Sequence, residues 1–182
     1  MTVATAVDEQ MLVERLAGGD PDAVDDLVDI YKDRLFAFIL RSVGDYALAE
    51  DVFQEMWIKV IRRIGTFRGD SKLSTWLFQV ALNTVRDTMR KKGRHTFVDI
   101  DEVTQLPSND KVDVDGIART EQVKLLIDSL PEKMREVVVL KYYHDLMDTE
   151  IAEIAGIPEG TVKSRLHRAN GIMKERWQKR YA

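Results

Sequence analysis

No cysteine occurs in the chain, so disulfides and thiolate metal sites are excluded. His95, His144 and His167 are left as nitrogen ligands. They are too scattered to suggest a metal centre, and neither a metal nor another cofactor is expected. No stretch approaches the roughly twenty consecutive apolar residues of a membrane helix. The first residues, MTVATAVDEQMLVERL, lack the basic start and long apolar core of a secretory signal. A cytoplasmic chain with no membrane contact of its own is therefore expected. Sustained alternation of apolar and polar residues is missing too, so no strand is predicted. Proline occurs only 4 times, and each one marks a boundary: Pro21 and Pro158 at helix starts, Pro131 at a pause in helical periodicity, and Pro107 in a loop. A helical enzyme using paired carboxylates such as Asp51 and Glu55 finds no pocket-forming motif, nucleophile–base pair or phosphate loop to support it.

What is present is a chain of 182 residues, 45% hydrophobic and 32% charged. That suits a soluble, helix-rich protein of one or two small domains. Its net charge of −4 conceals a strong segregation. Eight acids between Asp8 and Asp29 face only Arg15, whereas seven bases between Lys163 and Arg180 face only Glu159 and Glu175. A second basic cluster comprises Arg86, Arg90, Lys91, Lys92 and Arg94. Local charge decides where phosphate is attracted, so two DNA contacts and separate protein-facing surfaces are expected.

The order of the first dozen residues is left open. Asp20 and Pro21 signal a helix start, and apolar spacing predicts a helix from Ala23 to Arg41. Further helices are predicted over about 47–64 and 74–92, with a turn at residues 67–71 between them. Residues 96–116 carry many acids and the loop signal Pro107-Ser108-Asn109, a composition that cannot bury much surface. Helical periodicity resumes near Ile117. The predicted architecture is all-α, with two helical domains at 10–95 and 117–182 joined by an acidic linker over 96–116.

The run DTEIAEIAGIPEGTVKSRLHRA, Asp148 to Ala169, reads as two short helices and a tight turn. Ile151, Ala152, Ile154 and Ala155 give the first an apolar surface, Gly156 permits the turn and Pro158 starts the second. On that second helix Val162, Leu166 and Ala169 share a face with Arg165 on its flank, while Gly160, Lys163, Ser164, His167 and Arg168 point away. A helix with a basic face seated on a hydrophobic base is how a helix-turn-helix enters the DNA major groove.

Two further faces carry information. On the helix over 47–64, Ala49, Val52, Phe53, Met56, Val60 and Ile64 form an inward arc. Asp51, Glu55, Ile58 and Arg62 lie opposite, with Gln54 and Ile61 beside them. Carboxylates around exposed isoleucine suit a protein partner; if a neighbouring helix covers Ile58 and Ile61, the acids are an ordinary solvated face. On the next helix Leu73, Leu77, Val80, Ala81 and Thr84 face inward, and Gln79, Asn83, Arg86 and Arg90 form an outward stripe. Amides and guanidinium groups near Phe67 and Trp76 suit unstacked bases and single-strand backbone, although Trp76 fits the core better than a base.

The segment AEDVFQEMWIKVIRRIGTFRGDSKLSTWLFQVALNTVRDTMRKK resembles the second domain of bacterial sigma factors of the extracytoplasmic-function type. The segment LIDSLPEKMREVVVLKYYHDLMDTEIAEIAGIPEGTVKSRLHRA resembles their fourth. The resemblance implies a promoter-specificity factor, inactive as an enzyme by itself, with core RNA polymerase, promoter DNA and an anti-sigma protein as partners. It implies that Asp51, Gln54 and Glu55 meet the polymerase clamp helices, with Ile58 and Arg62 on the same face as further contacts. It also implies that Asn83, with Phe67, Trp76, Gln79, Arg86 and Arg90, captures a flipped base of the −10 element and helps melt the promoter. Glu159, Thr161, Lys163, Ser164, Arg165 and Arg168 would read the −35 element, with His167 beside them as a base reader, a phosphate neighbour or a bystander, and the acidic linker would thread toward the polymerase active site. Gln79, where relatives often carry a basic residue, and the acidic Glu159 depart from the pattern and would alter promoter preference. A polymerase-independent helix-turn-helix regulator is the rival. It leaves the Asp51–Arg62 face and the Gln79–Arg90 stripe without a purpose.

Overall fold

The computed structural model describes residues 3–67, 69–93 and 121–181, with side chains described over 9–67, 69–93 and 123–179. The acidic stretch 96–116, Arg68 of the predicted turn, and Arg94 and His95 lie outside the described residues. Helices α1 (Val3–Ala17), α2 (Pro21–Val43), α3 (Tyr46–Arg63) and α4 (Leu73–Lys91) build one compact unit. Helices α5 (Glu121–Asp128), α6 (Glu132–His144), α7 (Asp148–Ala155) and α8 (Glu159–Tyr181) supply most of a second. Among the described residues there is no strand, and no helix is long and apolar enough to cross a membrane.

The helix boundaries follow from local chemistry. Asp20 accepts a hydrogen bond from the Asp22 N–H at 3.0 Å, and Pro21 takes the first position of α2, where a missing N–H costs nothing. Gly44, at φ 73°, ends α2 in the left-handed conformation, which glycine adopts without strain. Asp45 then caps α3 by accepting from the Leu48 N–H at 2.8 Å.

In the first unit α2, α3 and α4 pack mutually. Leu27, Leu35, Phe38, Ile39, Val52, Met56, Val60, Leu73 and Leu77 are essentially inaccessible. Phe38 meets Phe78 edge to face at 5.5 Å, while Phe36, Phe53 and Trp57 form a second aromatic ladder between α2 and α3. Phe53 and Ile64, expected on the inward arc, are only half-buried.

Helix α1, on which the sequence reading was silent, packs on α2 and on the short 3₁₀ turn Ile64–Thr66. Its buried Leu12 and Leu16 lie four residues apart. Arg15 is fastened to Asp20 at 2.7 Å and Asp26 at 2.6 Å; the hydrogen bond from Arg15 is the main reason the Asp20 carboxyl sits below its ordinary pKa. Glu9 reaches the start of α4, where its carboxylate accepts from the Ser74 N–H at 3.2 Å. Lys72 leads into α4 without a side-chain cap, so this distant carboxylate satisfies an otherwise orphaned donor.

The second unit is built around α6 and α8. Val137, Val139, Leu140, Ile151, Val162 and Ala169 are all fully buried. The Arg135 guanidinium donates to the carbonyls of Ile127, Asp128 and Leu130, closing the C-terminal end of α5. Lys141 joins Asp148 at 2.7 Å and so ties α6 to the start of α7.

Candidate nucleic-acid and partner interfaces

On α3 the inward positions Ala49, Val52, Met56 and Val60 are buried, which turns Asp51, Gln54, Ile58 and Arg62 to the surface. Ile58 is 50% and Ile61 53% exposed, so no helix among the described residues covers them. The ambiguity left by periodicity resolves in favour of an open face. Asp51 makes no ion pair among the described residues. Glu55 is half-buried and joins Lys59 one turn on, at 3.0 Å. Two accessible isoleucines beside carboxylates are costly in water and complementary to a partner carrying apolar and basic groups.

Helix α4 buries Leu73, Leu77, Val80, Ala81 and Thr84. Its opposite side presents Asn83 and Arg90 to solvent, with Gln79 and Arg86 half-buried along the same stripe. Asn83 has no side-chain hydrogen bond within the described residues, so both its amide donors and its carbonyl are open. Arg90 is held by Asp87 at 2.5 Å. Phe67 and Trp76 pack on one another with centroids 5.5 Å apart, and both are half-buried. Trp76 is thus neither fully in the core nor fully open. It sits in the first turn of α4 at the edge of the inward face, where Phe67 covers part of one side.

Gly156, at φ 68°, makes the sharp turn between α7 and α8. Val162, Leu166 and Ala169 seat α8 on its neighbours, leaving Gly160, Lys163, Ser164 and His167 exposed. Thr161 and Arg165 flank this ridge, half-buried. Arg168, expected to point fully outward, is instead half-buried and engaged with neighbours, because it falls to one side of the ridge. Glu159 forms an i,i+4 pair with Lys163 at 2.6 Å. That hydrogen bond is the main reason the Lys163 ammonium holds its proton above the ordinary lysine pKa. The acidic residue thus restrains the nearest base of the ridge while complementing the helix dipole.

Three residues outside the sequence reading complete these surfaces: Glu9, Lys59 and Asp87. Lys59 bridges α3 to α4, lying 3.6 Å from Asp87 and 3.3 Å from the Thr84 hydroxyl. The i,i+4 spacing of Glu55 and Lys59 was visible in sequence, but the register of α3 against α4 was not. No group of three or more His, Asp or Glu that could hold a metal is found among the described residues.

The family model for sigma-70 region 2 matches residues 15–95, and that for sigma-70 region 4 matches residues 120–169. The chain is 36% identical to the ECF RNA polymerase sigma factor SigW of Bacillus subtilis, covering 90% of this chain and 93% of that one. It is 33% identical to the RNA polymerase sigma-H factor of Pseudomonas aeruginosa, covering 91% of each. Among solved structures, the sigma factor RpoE of Bartonella quintana, in complex with the anti-sigma factor NepR, superposes with a TM-score of 0.64. The sequences there are 26% identical, and the match covers 83% of this chain and 94% of that one. With both conserved regions present in order and such similarity along nearly its whole length, the chain belongs to the extracytoplasmic-function sigma factors of the sigma-70 family, which direct promoter-specific initiation of transcription.

Proposed function

We propose that the three open faces divide the work of initiation, acting in the cytoplasm on core RNA polymerase and promoter DNA. Asp51, Gln54, Glu55, Ile58 and Arg62 of α3 dock on the polymerase clamp helices. The observation that carries this assignment is the exposure of Ile58 and Ile61 beside Asp51, which makes no ion pair among the described residues. Asn83 of α4 takes an extruded base of the −10 element, with Gln79, Arg86 and Arg90 holding the flanking strand and Phe67 and Trp76 offering ring faces. The exposed ridge of α8 enters the major groove at the −35 element. Lys163 and Arg168 supply phosphate contacts; Ser164, Arg165 and His167 lie within reach of base edges, and Glu159 and Thr161 line the helix start. The proposed domains are 10–95 and 117–182, with the acidic stretch 96–116 as tether. An anti-sigma protein is the expected regulator, as the Bartonella quintana relative is bound by one.

Run-off transcription on a genomic library with purified core polymerase tests the whole assignment. Discrete transcripts that require the chain are expected, and they identify its promoters at the same time. Tight, sequence-specific duplex binding by the chain without polymerase, and no new transcripts with it, would instead establish the polymerase-independent regulator.

Asn83→Ala gives a sharper prediction for α4. A lost base contact costs about 1–3 kcal/mol, so promoter opening should fall roughly 5- to 150-fold at that energy. Closed-complex formation should stay near wild type. Permanganate footprinting of unpaired thymines and a mobility shift at low temperature measure the two steps. Equal loss in both assays would remove Asn83 from the opening step.

A further inference from the structure

The surfaces assigned to the polymerase and to the −10 strand lie on different helices, yet one chain of charges connects them. Glu55 on α3 lies 3.0 Å from Lys59, and Lys59 lies 3.6 Å from Oδ2 of Asp87 on α4. The other oxygen of Asp87, Oδ1, holds Arg90 at 2.5 Å. The series alternates in sign from one surface to the other. Lys59 is its least accessible member, with a side chain 27% exposed. Its ammonium is further fixed by the Thr84 hydroxyl at 3.3 Å. That hydroxyl gives its own proton to the Val80 carbonyl at 2.8 Å, leaving its lone pairs free to accept from Lys59.

We propose that Lys59 is a positioning residue that couples polymerase docking at Glu55 to release of Arg90 for the −10 strand. In the free chain Lys59 divides its charge between two carboxylates, the nearer being Glu55. A cationic group of the polymerase that engages Glu55 takes that carboxylate away. Lys59 then draws on Asp87 alone and competes with Arg90 for it. The guanidinium, 65% exposed in its side chain, is freed to meet a phosphate. By linkage the effect runs both ways: DNA bound at Arg90 strengthens docking at Glu55 by the same factor. The ion pairs are half-exposed, so the coupling is modest and screened by salt.

The inference rests on the proposed assignment of α3 to polymerase and α4 to DNA, and its test separates the two. The full-length chain without polymerase is titrated, at low salt, against a labelled non-template −10 oligonucleotide taken from a promoter found by run-off transcription. Arg90→Ala should lower affinity, which establishes the contact at the output end. Glu55→Gln, which imitates an occupied docking site, should raise affinity by about threefold, the scale of one exposed ion pair. The same Glu55→Gln change in a Lys59→Met background should have no effect, since methionine keeps the apolar stem without the charge. Glu50→Gln, which removes an exposed acid of α3 outside the chain of charges, should change nothing. An equal rise from Glu55→Gln with and without Lys59 would reduce the effect to general repulsion and overturn the coupling, as would no rise at all. An unaltered affinity in Arg90→Ala would overturn the assignment of the α4 stripe, and the coupling with it.

Discussion

Replacing Asp51 and Glu55 together with alanine is expected to weaken capture of core RNA polymerase by at least roughly 100-fold, since hydrogen bonds to charged groups are worth about 1.5–3 kcal/mol each. Asp51 is exposed and Glu55 half-buried, so neither carboxylate contributes much to the unit's own packing. The exposed change at Asp51 alters folding stability by only about 0.5 kcal/mol in either direction, and losing the half-exposed Glu55–Lys59 pair costs about 0–1 kcal/mol. The thermal midpoint of the variant should therefore stay close to wild type while its affinity for polymerase collapses. Equilibrium titration of labelled chain against core enzyme, paired with a thermal scan, measures both. Undiminished capture would remove α3 from the docking surface. Loss of capture accompanied by a large fall in melting temperature would signal damage to the fold.

The second large effect belongs to the core. Phe38 is completely inaccessible and meets the equally buried Phe78 edge to face. Arg34 lies over the other aromatic, its guanidinium carbon 5.8 Å from the Phe78 centroid. Phe38→Ala removes a large side chain from a site where α2 and α4 meet and leaves a cavity that helices on several sides hold open. Such truncations cost about 3–5 kcal/mol, a large share of the roughly 5–15 kcal/mol that stabilises a typical domain. In a unit of this size each kilocalorie moves the melting temperature by about 4–8 °C, so a fall of at least about 12 °C is expected. Circular dichroism at 222 nm follows it directly. A shift of only a degree or two would mean that Phe38 is not the keystone of the α2–α4 contact.

The contrast between these variants reflects what could be read before the structure. Buried and exposed sides of α3 and α4 follow from spacing alone, because each helix has one wide apolar arc and the residues opposite must face elsewhere. The helix-turn-helix was equally plain: Gly156, Pro158 and the small apolar residues of α7 agree on one geometry. Spacing could not say whether Ile58 and Ile61 were covered, since that depends on where another helix lies. It could not place Trp76 either, because a residue at the margin of an apolar arc is buried or open according to the loop before it. The i,i+4 spacing of Glu55 and Lys59 shows one carboxylate for Lys59; its second comes from a residue 28 positions away. Helix α1 is hard to see in the sequence because its acids mask a short apolar repeat, Leu12 and Leu16, whose use becomes plain only against α2.

The hydrogen bond from Ser74 to Glu9 changes where the unit that carries the α4 stripe begins. The match to sigma-70 region 2 starts at residue 15, and a chain trimmed to that border would keep every residue of the α4 stripe. It would nonetheless lose the carboxylate that closes the first turn of α4, on which Trp76 rests. The family match marks where relatives share residues; the mechanical edge of this unit lies earlier, at the turn of α1 that carries Glu9.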